Sequence, residues 1–286
     1  MQEFGYDPRM QRTKNADRAR RIVAARGADV VEARRRVLRR GSGAAIHDLR
    51  VATRRLQAAL EVFGPRLPEK SRRRLDRRAR RIRRQLGPLR NTRVLRAMLR
   101  RLRVRPDSDE SRLVADLVRR LDRPARAKRG ADRRDLPGIG KRVRTLLRGM
   151  TGRPEGIAAP SGAALPERVE AVARAASMAG EGDPESMHRL RIAVKRYRYV
   201  LEILAETGVP SLEPSIRAAR EVQRELGRLH DLDVLIDWVR GTARVPAAAT
   251  FLRRLLRLRV RQAGKVQRRL VRFQPVGAGG ARRTAA

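Results

Sequence analysis

Several residue types are scarce in this 286-residue chain, and each shortage argues against particular kinds of site or protein class. It contains no cysteine, which excludes disulfide bonds and thiolate metal ligands. Aromatic residues make up 3% of it, which is few for a protein that stacks the bases of single-stranded nucleic acid. The first ten residues have no apolar signal core, and no apolar run approaches the ~18 residues of a membrane-spanning helix. We therefore expect a cytoplasmic protein without membrane insertion.

Acidic residues are also scarce relative to basic ones. The chain has 71 Lys and Arg against 30 Asp and Glu, which gives a formal net charge of +41 at pH 7. Such a charge destabilises a compact fold through self-repulsion, so an anionic partner is the simplest explanation for it. The candidates are nucleic acid, an anionic membrane surface and polyphosphate. Most of the cations are arginine, whose planar guanidinium can bond two phosphate oxygens at once.

Helical periodicity is present along almost the whole sequence. Apolar residues recur three and four positions apart, and no segment alternates convincingly with period two, so the pattern predicts an all-α fold. Residues 122–166 interrupt this pattern with five prolines and several glycines. We interpret them as a connector that contains one short helix over residues 139–147. The Gly- and Ala-rich residues 274–286 are expected to form a disordered tail.

One helical segment occurs twice. Residues 46–63 read IHDLRVATRRLQAALEVF and residues 187–204 read MHRLRIAVKRYRYVLEIL, so that His47 aligns with His188 without a gap. A second pair of blocks, residues 85–95 and 225–235, carries Leu-Gly-x-Leu in both copies at nearly the same offset. Two matched blocks at a near-constant offset indicate that a unit of several helices is duplicated. We expect two pseudo-symmetric antiparallel four-helix bundles, formed by residues 12–121 and 167–273.

Each copy of the repeated helix has cations along one flank, behind a histidine. At ~100° per residue, the flank positions are His47, Arg50, Arg54 and Gln57 in the first copy and His188, Arg191, Lys195 and Arg198 in the second. Like charges at this spacing destabilise an isolated helix, so a bound anion explains the arrangement better than a solvated surface does. Ser42 and Asp183 are N-cap residues at equivalent positions, which places each histidine near the positive end of its helix dipole.

These motifs resemble a known family. The pattern H-x-L-R-[VI]-A-x-[RK]-R, followed later by L-G-x-L-x-[DN]-x-x-V, is similar to that of the CHAD family, the conserved histidine α-helical domain. The resemblance extends from about residue 12 to about residue 272 and includes both half-repeats. It implies two four-helix bundles whose basic surface binds inorganic polyphosphate. The contacts that it implies are His47, Arg50, Arg54, Arg55, His188, Arg191, Lys195, Arg196 and Arg198.

The two copies are unequal in charge. Gln57 stands where the family pattern often has a cation, and Asn91 and Arg93 replace the acidic pair Asp231 and Asp233 of the second copy. We interpret these two acidic residues as structural partners that hold arginines in place. We therefore expect the second copy to be the better ordered half of the site.

Alternative functions stay open. Nucleic acid is the strongest alternative, because any polyanion gains affinity for this charge through counterion release, although no helix-turn-helix or zinc pattern occurs. A metal site near His230 lacks a His-x-x-x-His pair. A metal-dependent polyphosphate-processing enzyme would need carboxylates for metal ions or a Gly-rich phosphate loop. Residues 138–141 resemble only a short part of such a loop. We predict a non-enzymatic polyphosphate-binding protein with no catalytic residue, cofactor or metal, associated with polyphosphate granules.

Overall fold

The computed structural model describes residues 8–40, 42–64, 67–127, 139–149, 164–180, 182–243 and 245–276. Within these ranges the chain is helical and contains no strand. The helices are α1 (Pro8–Arg40), α2 (Gly43–Val62), α3 (Glu69–Gln85), α4 (Gly87–Arg101), α5 (Asp109–Ala127), α6 (Ile139–Gly149), α7 (Ala164–Ser177), α8 (Pro184–Glu206), α9 (Glu213–Thr242) and α10 (Pro246–Val271). The predicted all-α class is confirmed. Most of the predicted tail, residues 277–286, lies outside the described residues.

The two copies of the repeated helix, α2 and α8, begin at caps of the predicted kind. Ser42 Oγ accepts a hydrogen bond from Ala45 N at 3.2 Å. Asp183 Oδ1 accepts from the backbone nitrogens of Glu185 and Ser186, at 2.9 and 3.1 Å. These bonds satisfy amide groups that have no partner within the first helical turn. Both histidines consequently lie in the second turn, as predicted.

The two Leu-Gly blocks differ in their backbone. The first block is divided, since α3 ends at Gln85 and α4 begins at Gly87. The second block lies inside α9, which continues through it without interruption. Pro88 explains the difference, because it lacks an amide hydrogen and its ring would clash with the carbonyl group four residues earlier. Arg228 occupies the equivalent position in α9 and permits a continuous helix.

The described residues divide into two compact units. The first unit comprises α1, α2, α3 and α6, with residues 164–168 and 196–216. The second comprises the described residues of 86–127, 169–195 and 217–276. Each unit therefore contains segments from both halves of the sequence, and α7, α8 and α9 belong partly to each. The half-repeats 12–121 and 167–273 describe sequence similarity, and the duplication of whole bundles stays a prediction.

The core of the first unit is formed by four helices in contact. Helix α1 packs on α2 and α6, and α3 also packs on α2 and α6. The buried side chains include Val23, Val30, Leu49, Leu56, Leu75, Ile82 and Leu146. A Cβ atom at Gly27 would lie 2.4 Å from Val143 Cγ1, so α1 and α6 approach closely at this glycine. Helix α6 lies within the segment that we interpreted as the connector, and it is part of this core.

The core of the second unit is built from α4, α5, α9 and α10. Its buried side chains are Leu95, Leu99, Leu113, Val114, Leu117, Leu121, Leu235, Ile236, Val239, Ala248, Phe251 and Leu255. They recur at three- and four-residue spacings within each helix, as expected for one apolar face per helix. Helix α5 extends to Ala127, so it includes the first residues of the predicted connector.

Candidate anion-binding sites

In the first unit, cations of α2 and α3 converge on Arg83. Arg50 Nη1 donates to the backbone oxygen of Arg83 at 2.8 Å, which fixes the cation row of α2 against α3. Burial, together with the neighbouring cations Arg54, Arg80 and Arg196, lowers the pKa of Arg83 to about 10. We refer to Arg50, Arg54, Arg80, Arg83 and Arg196 as the arginine cluster. Its like charges repel one another in a partly desolvated place, so an anion bound there would relieve that repulsion.

Asp76 offsets part of this positive charge. It raises the pKa of Arg83, and its Oδ2 accepts a hydrogen bond from Arg80 Nε at 2.7 Å. Its other oxygen, Oδ1, accepts from Gln57 Nε2 at 2.5 Å. Gln57, which interrupts the predicted cation row, therefore orients the carboxylate beside the arginine cluster.

Arg54 has a buried hydrogen-bond donor for which the described residues provide no acceptor. Its Nε atom is buried and has no hydrogen-bond partner among the described residues. A buried donor without a partner costs ~1–3 kcal/mol, which an oxygen of a bound anion would recover. Several other arginines share this feature, so it supports the site without defining it.

In the second unit, two histidines face each other. The Nδ1 atoms of His188 on α8 and His230 on α9 are 3.3 Å apart, and the ring centroids are 4.7 Å apart with a tilt of 43°. Burial, together with Arg191, His188, Arg90 and Lys195, lowers the pKa of His230 to about 3. Burial, then Arg191 and Lys195, also lower the pKa of His188. Both rings are therefore neutral near pH 7. We refer to His188, His230, Arg90, Arg191 and Lys195 as the histidine cluster.

Two aspartates of α9 hold arginines beside the histidine cluster. Arg90 Nη2 donates to Asp231 Oδ1 at 2.8 Å. Arg259 Nε donates to Asp233 Oδ1 at 2.6 Å, and its Nη2 donates to Gly182 O at 2.7 Å. Asp233 is buried, and burial raises the pKa of its carboxyl group while Arg259 opposes that rise. These contacts agree with the interpretation of the acidic pair as structural partners.

The structure brings six of the nine predicted contacts into the two clusters. Arg50 donates to the backbone oxygen of Arg83, and Arg54 and Arg196 lower the pKa of its guanidinium group. The members of the histidine cluster among the predicted residues are His188, Arg191 and Lys195. The C-terminal part of α8 thus contributes Arg196 to the first unit, whereas its N-terminal part contributes to the second.

The other three predicted contacts lie elsewhere. His47 is exposed on α2. Arg55 Nε and Arg198 Nη1 both contact Glu202, at 3.8 and 3.3 Å. The guanidinium of Arg198 also lies 4.3 Å from the ring centroid of Tyr199. Because the side chain of Arg198 is largely buried in these contacts, it stabilises α8 itself; its role in ligand contact stays a prediction.

Four residues of the clusters were not predicted as contacts: Arg80, Arg83, Arg90 and His230. Two of them could have been predicted from the repeat, because Arg90 and His230 occupy the same position of the two Leu-Gly blocks. Helix α3 is so rich in arginine that no spacing distinguishes Arg83 from its neighbours.

Two further properties concern metals and membranes. Across the residues that the structure describes, no three His, Asp or Glu side chains converge as metal ligands. None of the helices in those ranges is long and apolar enough to cross a membrane.

Comparison with known proteins identifies the family. A family model described as the CHAD domain matches residues 21–240, and the chain therefore belongs to the CHAD domain family. The CHAD domain crystal structure from the plant Ricinus communis is similar at 22% identity and TM-score 0.64, covering 91% of this chain and 93% of that one. PptA from Streptomyces chartreusis is similar at 15% identity and TM-score 0.57, covering 91% and 98%. At these identities the similarity to both structures shows the fold alone. No match was found among curated proteins.

Proposed function

We propose that this protein binds inorganic polyphosphate through the arginine cluster and the histidine cluster, without catalysing a reaction on it. The observation that carries the proposal is the crowding around Arg83. Its pKa is lowered to about 10 by burial and by the guanidinium groups of Arg54, Arg80 and Arg196. An anion in this place would replace repulsion by charge-assisted hydrogen bonds. Membership of the CHAD family supports polyphosphate as that anion.

The partial burial of some cations in both clusters favours polyphosphate over nucleic acid. Arg54, Arg83, Arg191 and Lys195 are half-buried. A polyphosphate chain has no substituents beyond its oxygens, so consecutive phosphates can approach recessed cations closely. The phosphates of nucleic acid are flanked by sugars and bases, which suits exposed cations and stacking aromatic side chains better. The low aromatic content of 3% points in the same direction.

The carboxylates near the clusters support binding without catalysis. Asp76, Asp231 and Asp233 each accept a hydrogen bond from an arginine. Phosphoryl transfer commonly uses carboxylates to hold divalent cations, and these three are engaged in holding arginines instead. Association with polyphosphate granules belongs to the same proposal, because a granule presents the ligand at high local density.

The test is a competition experiment at physiological salt. Long-chain polyphosphate labelled at one end is bound to the protein and then challenged with unlabelled polyphosphate or with duplex DNA of equal total charge. We expect polyphosphate to displace the label and DNA to do so poorly. Equal displacement by DNA would show that counterion release alone drives binding and would overturn the proposal. Release of orthophosphate in the presence of Mg²⁺ would overturn its non-catalytic part.

Chain length provides a second measurement. A polyphosphate chain that engages both clusters binds its second cluster at high effective concentration, so affinity should rise with chain length beyond what one cluster explains. A variant that lacks the cations of one cluster should lose this length dependence while still binding short chains.

A further inference from the structure

The facing Nδ1 atoms restrict the protonation states of the histidine pair. At 3.3 Å, a neutral pair has one Nδ1–H that donates to the Nδ1 lone pair of the other ring. The accepting ring then carries its hydrogen on Nε2, whereas the donating ring has an unprotonated Nε2. The neutral pair of His188 and His230 therefore presents one Nε2–H donor and one Nε2 lone pair. That lone pair would repel a phosphate oxygen.

Charged groups of three helices act on this pair: Arg90 on α4, Arg191 and Lys195 on α8, and Asp233 on α9. Three further charged groups contact or act on these: Asp231 on Arg90, and Asp237 and Arg259 (on α10) on Asp233. Asp231 is engaged by Arg90 and Asp233 by Arg259. Burial, then cations that include Arg191 and Lys195, lower the pKa of both rings, so the pair is neutral near pH 7.

We propose that His188 and His230 form a phosphate subsite that takes up one proton when an anion binds. The inference rests on the proposed function and adds a chemical step to it. The proton adds to the Nε2 lone pair of the donating ring, and the Nδ1–H···Nδ1 hydrogen bond is kept. The singly protonated pair then presents two Nε2–H donors and one positive charge. A second proton would leave two N–H groups facing each other across the pair, so uptake stops at one.

This subsite makes binding at the two clusters respond differently to pH. Linkage of one proton to binding raises affinity by up to about tenfold for each unit of pH decrease within the window between the free and bound pKa values. The upper limit of that window is the pKa of the pair with an anion bound. Its lower limit is the lowered pKa of the pair without an anion. The arginine cluster contains no histidine, so its affinity should not depend on pH in this way.

The test is calorimetric titration of the full chain with long-chain inorganic polyphosphate. Two buffers with different ionisation enthalpies are used at about pH 6 and about pH 8, on either side of the histidine reference value. For the unaltered protein we expect the binding heat to differ between buffers at about pH 6, equivalent to uptake approaching one proton. The difference should vanish at about pH 8.

A double variant and a matched control isolate the histidine pair. In His188→Asn/His230→Asn, the amide groups retain polar atoms near the Nδ1 positions but do not titrate. The control is His47→Asn, the equivalent histidine of the first copy, which is exposed. Comparison with the double variant also subtracts the titration of the ligand's own terminal phosphates. We expect proton uptake to be lost in the double variant and unchanged in the control.

Different experimental outcomes would overturn the proton uptake and the proposed function. Binding with equal heats in both buffers would overturn the proton uptake and leave polyphosphate binding intact. Uptake that persists in the double variant, or that is lost in His47→Asn, would likewise overturn the assignment to this pair. Absence of binding at both pH values would overturn the proposed function and the subsite with it. Circular dichroism of each variant shows whether the helices remain folded.

Discussion

Arg90 Nη2 donates a hydrogen bond to Asp231 Oδ1 over 2.8 Å, and this contact joins the first Leu-Gly block to the second within one compact unit. Each side chain is 23% exposed, so the ion pair is partly screened from solvent. The same arginine lowers the pKa of His230. One ion pair thus fixes a cation beside the histidine cluster.

Asp231→Asn should lower the free energy of unfolding by about 1 kcal/mol, because it weakens a partly buried ion pair and leaves Arg90 without its carboxylate. The measurement is urea denaturation, with Arg90→Met and the double variant completing a mutant cycle. Asp116→Asn is the control, since Asp116 pairs with Arg120 on the exposed face of α5. A coupling energy of zero between Arg90 and Asp231 would show that the ion pair does not contribute to stability.

Removing two cations from either cluster should weaken polyphosphate binding. We expect Arg50→Ala/Arg54→Ala and Arg191→Ala/Lys195→Ala each to lose roughly tenfold or more in affinity, because each change removes charge-assisted hydrogen bonds. Helicity should stay unchanged, since alanine is the best helix former. The measurement is the dissociation constant at fixed salt.

Arg112→Ala/Arg119→Ala serves as the control for these pairs. It removes the same number of charges from α5, where both arginines form exposed ion pairs within their own helix. We expect a loss of less than about threefold from reduced net charge alone. If this variant lost as much affinity as the two cluster variants, binding would depend on overall charge and not on the clusters.

Arg83→Met should separate stability from binding. The pKa of Arg83 is lowered to about 10, so its charge is disfavoured in the folded protein. Replacing it by an apolar side chain of similar length should leave stability unchanged or raise it by up to about 1 kcal/mol, after allowance for solvent screening. Affinity for polyphosphate should fall. Thermal denaturation with and without ligand tests both effects, and a destabilised variant would contradict the repulsion inferred around Arg83.

Acid should destabilise the second unit through His230. Its folded-state pKa is about 3, whereas an unfolded histidine titrates near ~6.5. As the pH falls below ~6.5, the unfolded chain binds a proton that the folded chain does not, so stability falls progressively towards pH ~3. The raised pKa of Asp233 offsets part of this loss. His230→Asn should show a shallower loss of stability over this range in urea titrations, and an equally steep loss would show that other groups dominate.

Gly27→Ala should destabilise the first unit although alanine favours helix. The added Cβ would lie 2.4 Å from Val143 Cγ1, and such overpacking costs ~1–3 kcal/mol, which exceeds the gain of ~1 kcal/mol in helix propensity. Val143→Ala in the same chain should recover part of the loss by removing the clashing methyl groups. If Gly27→Ala were stabilising by itself, α6 would not pack on α1 at this position.

Local sequence was sufficient to predict the all-α class and the starting points of the two repeated helices. The periodicity of apolar residues and the caps Ser42 and Asp183 act within one or two turns, so a single segment contains the information. The repeat predicted equivalent positions for the two histidines, and both lie in the second turn of their helices. The CHAD pattern likewise depends on spacing within helices, which explains why the family could be identified without the fold.

The side-chain partners of the clusters were decided by tertiary structure. His188 and His230 face each other because α8 and α9 approach there, and Arg83 acquires its cationic neighbours because α2, α3 and the end of α8 converge. Packing also placed α6 in the core of the first unit and assigned parts of α8 to different units. Sequence spacing fixes the face of a helix on which a residue lies. The pKa of a histidine or an arginine depends on burial and on charges brought from distant segments, which folding alone supplies.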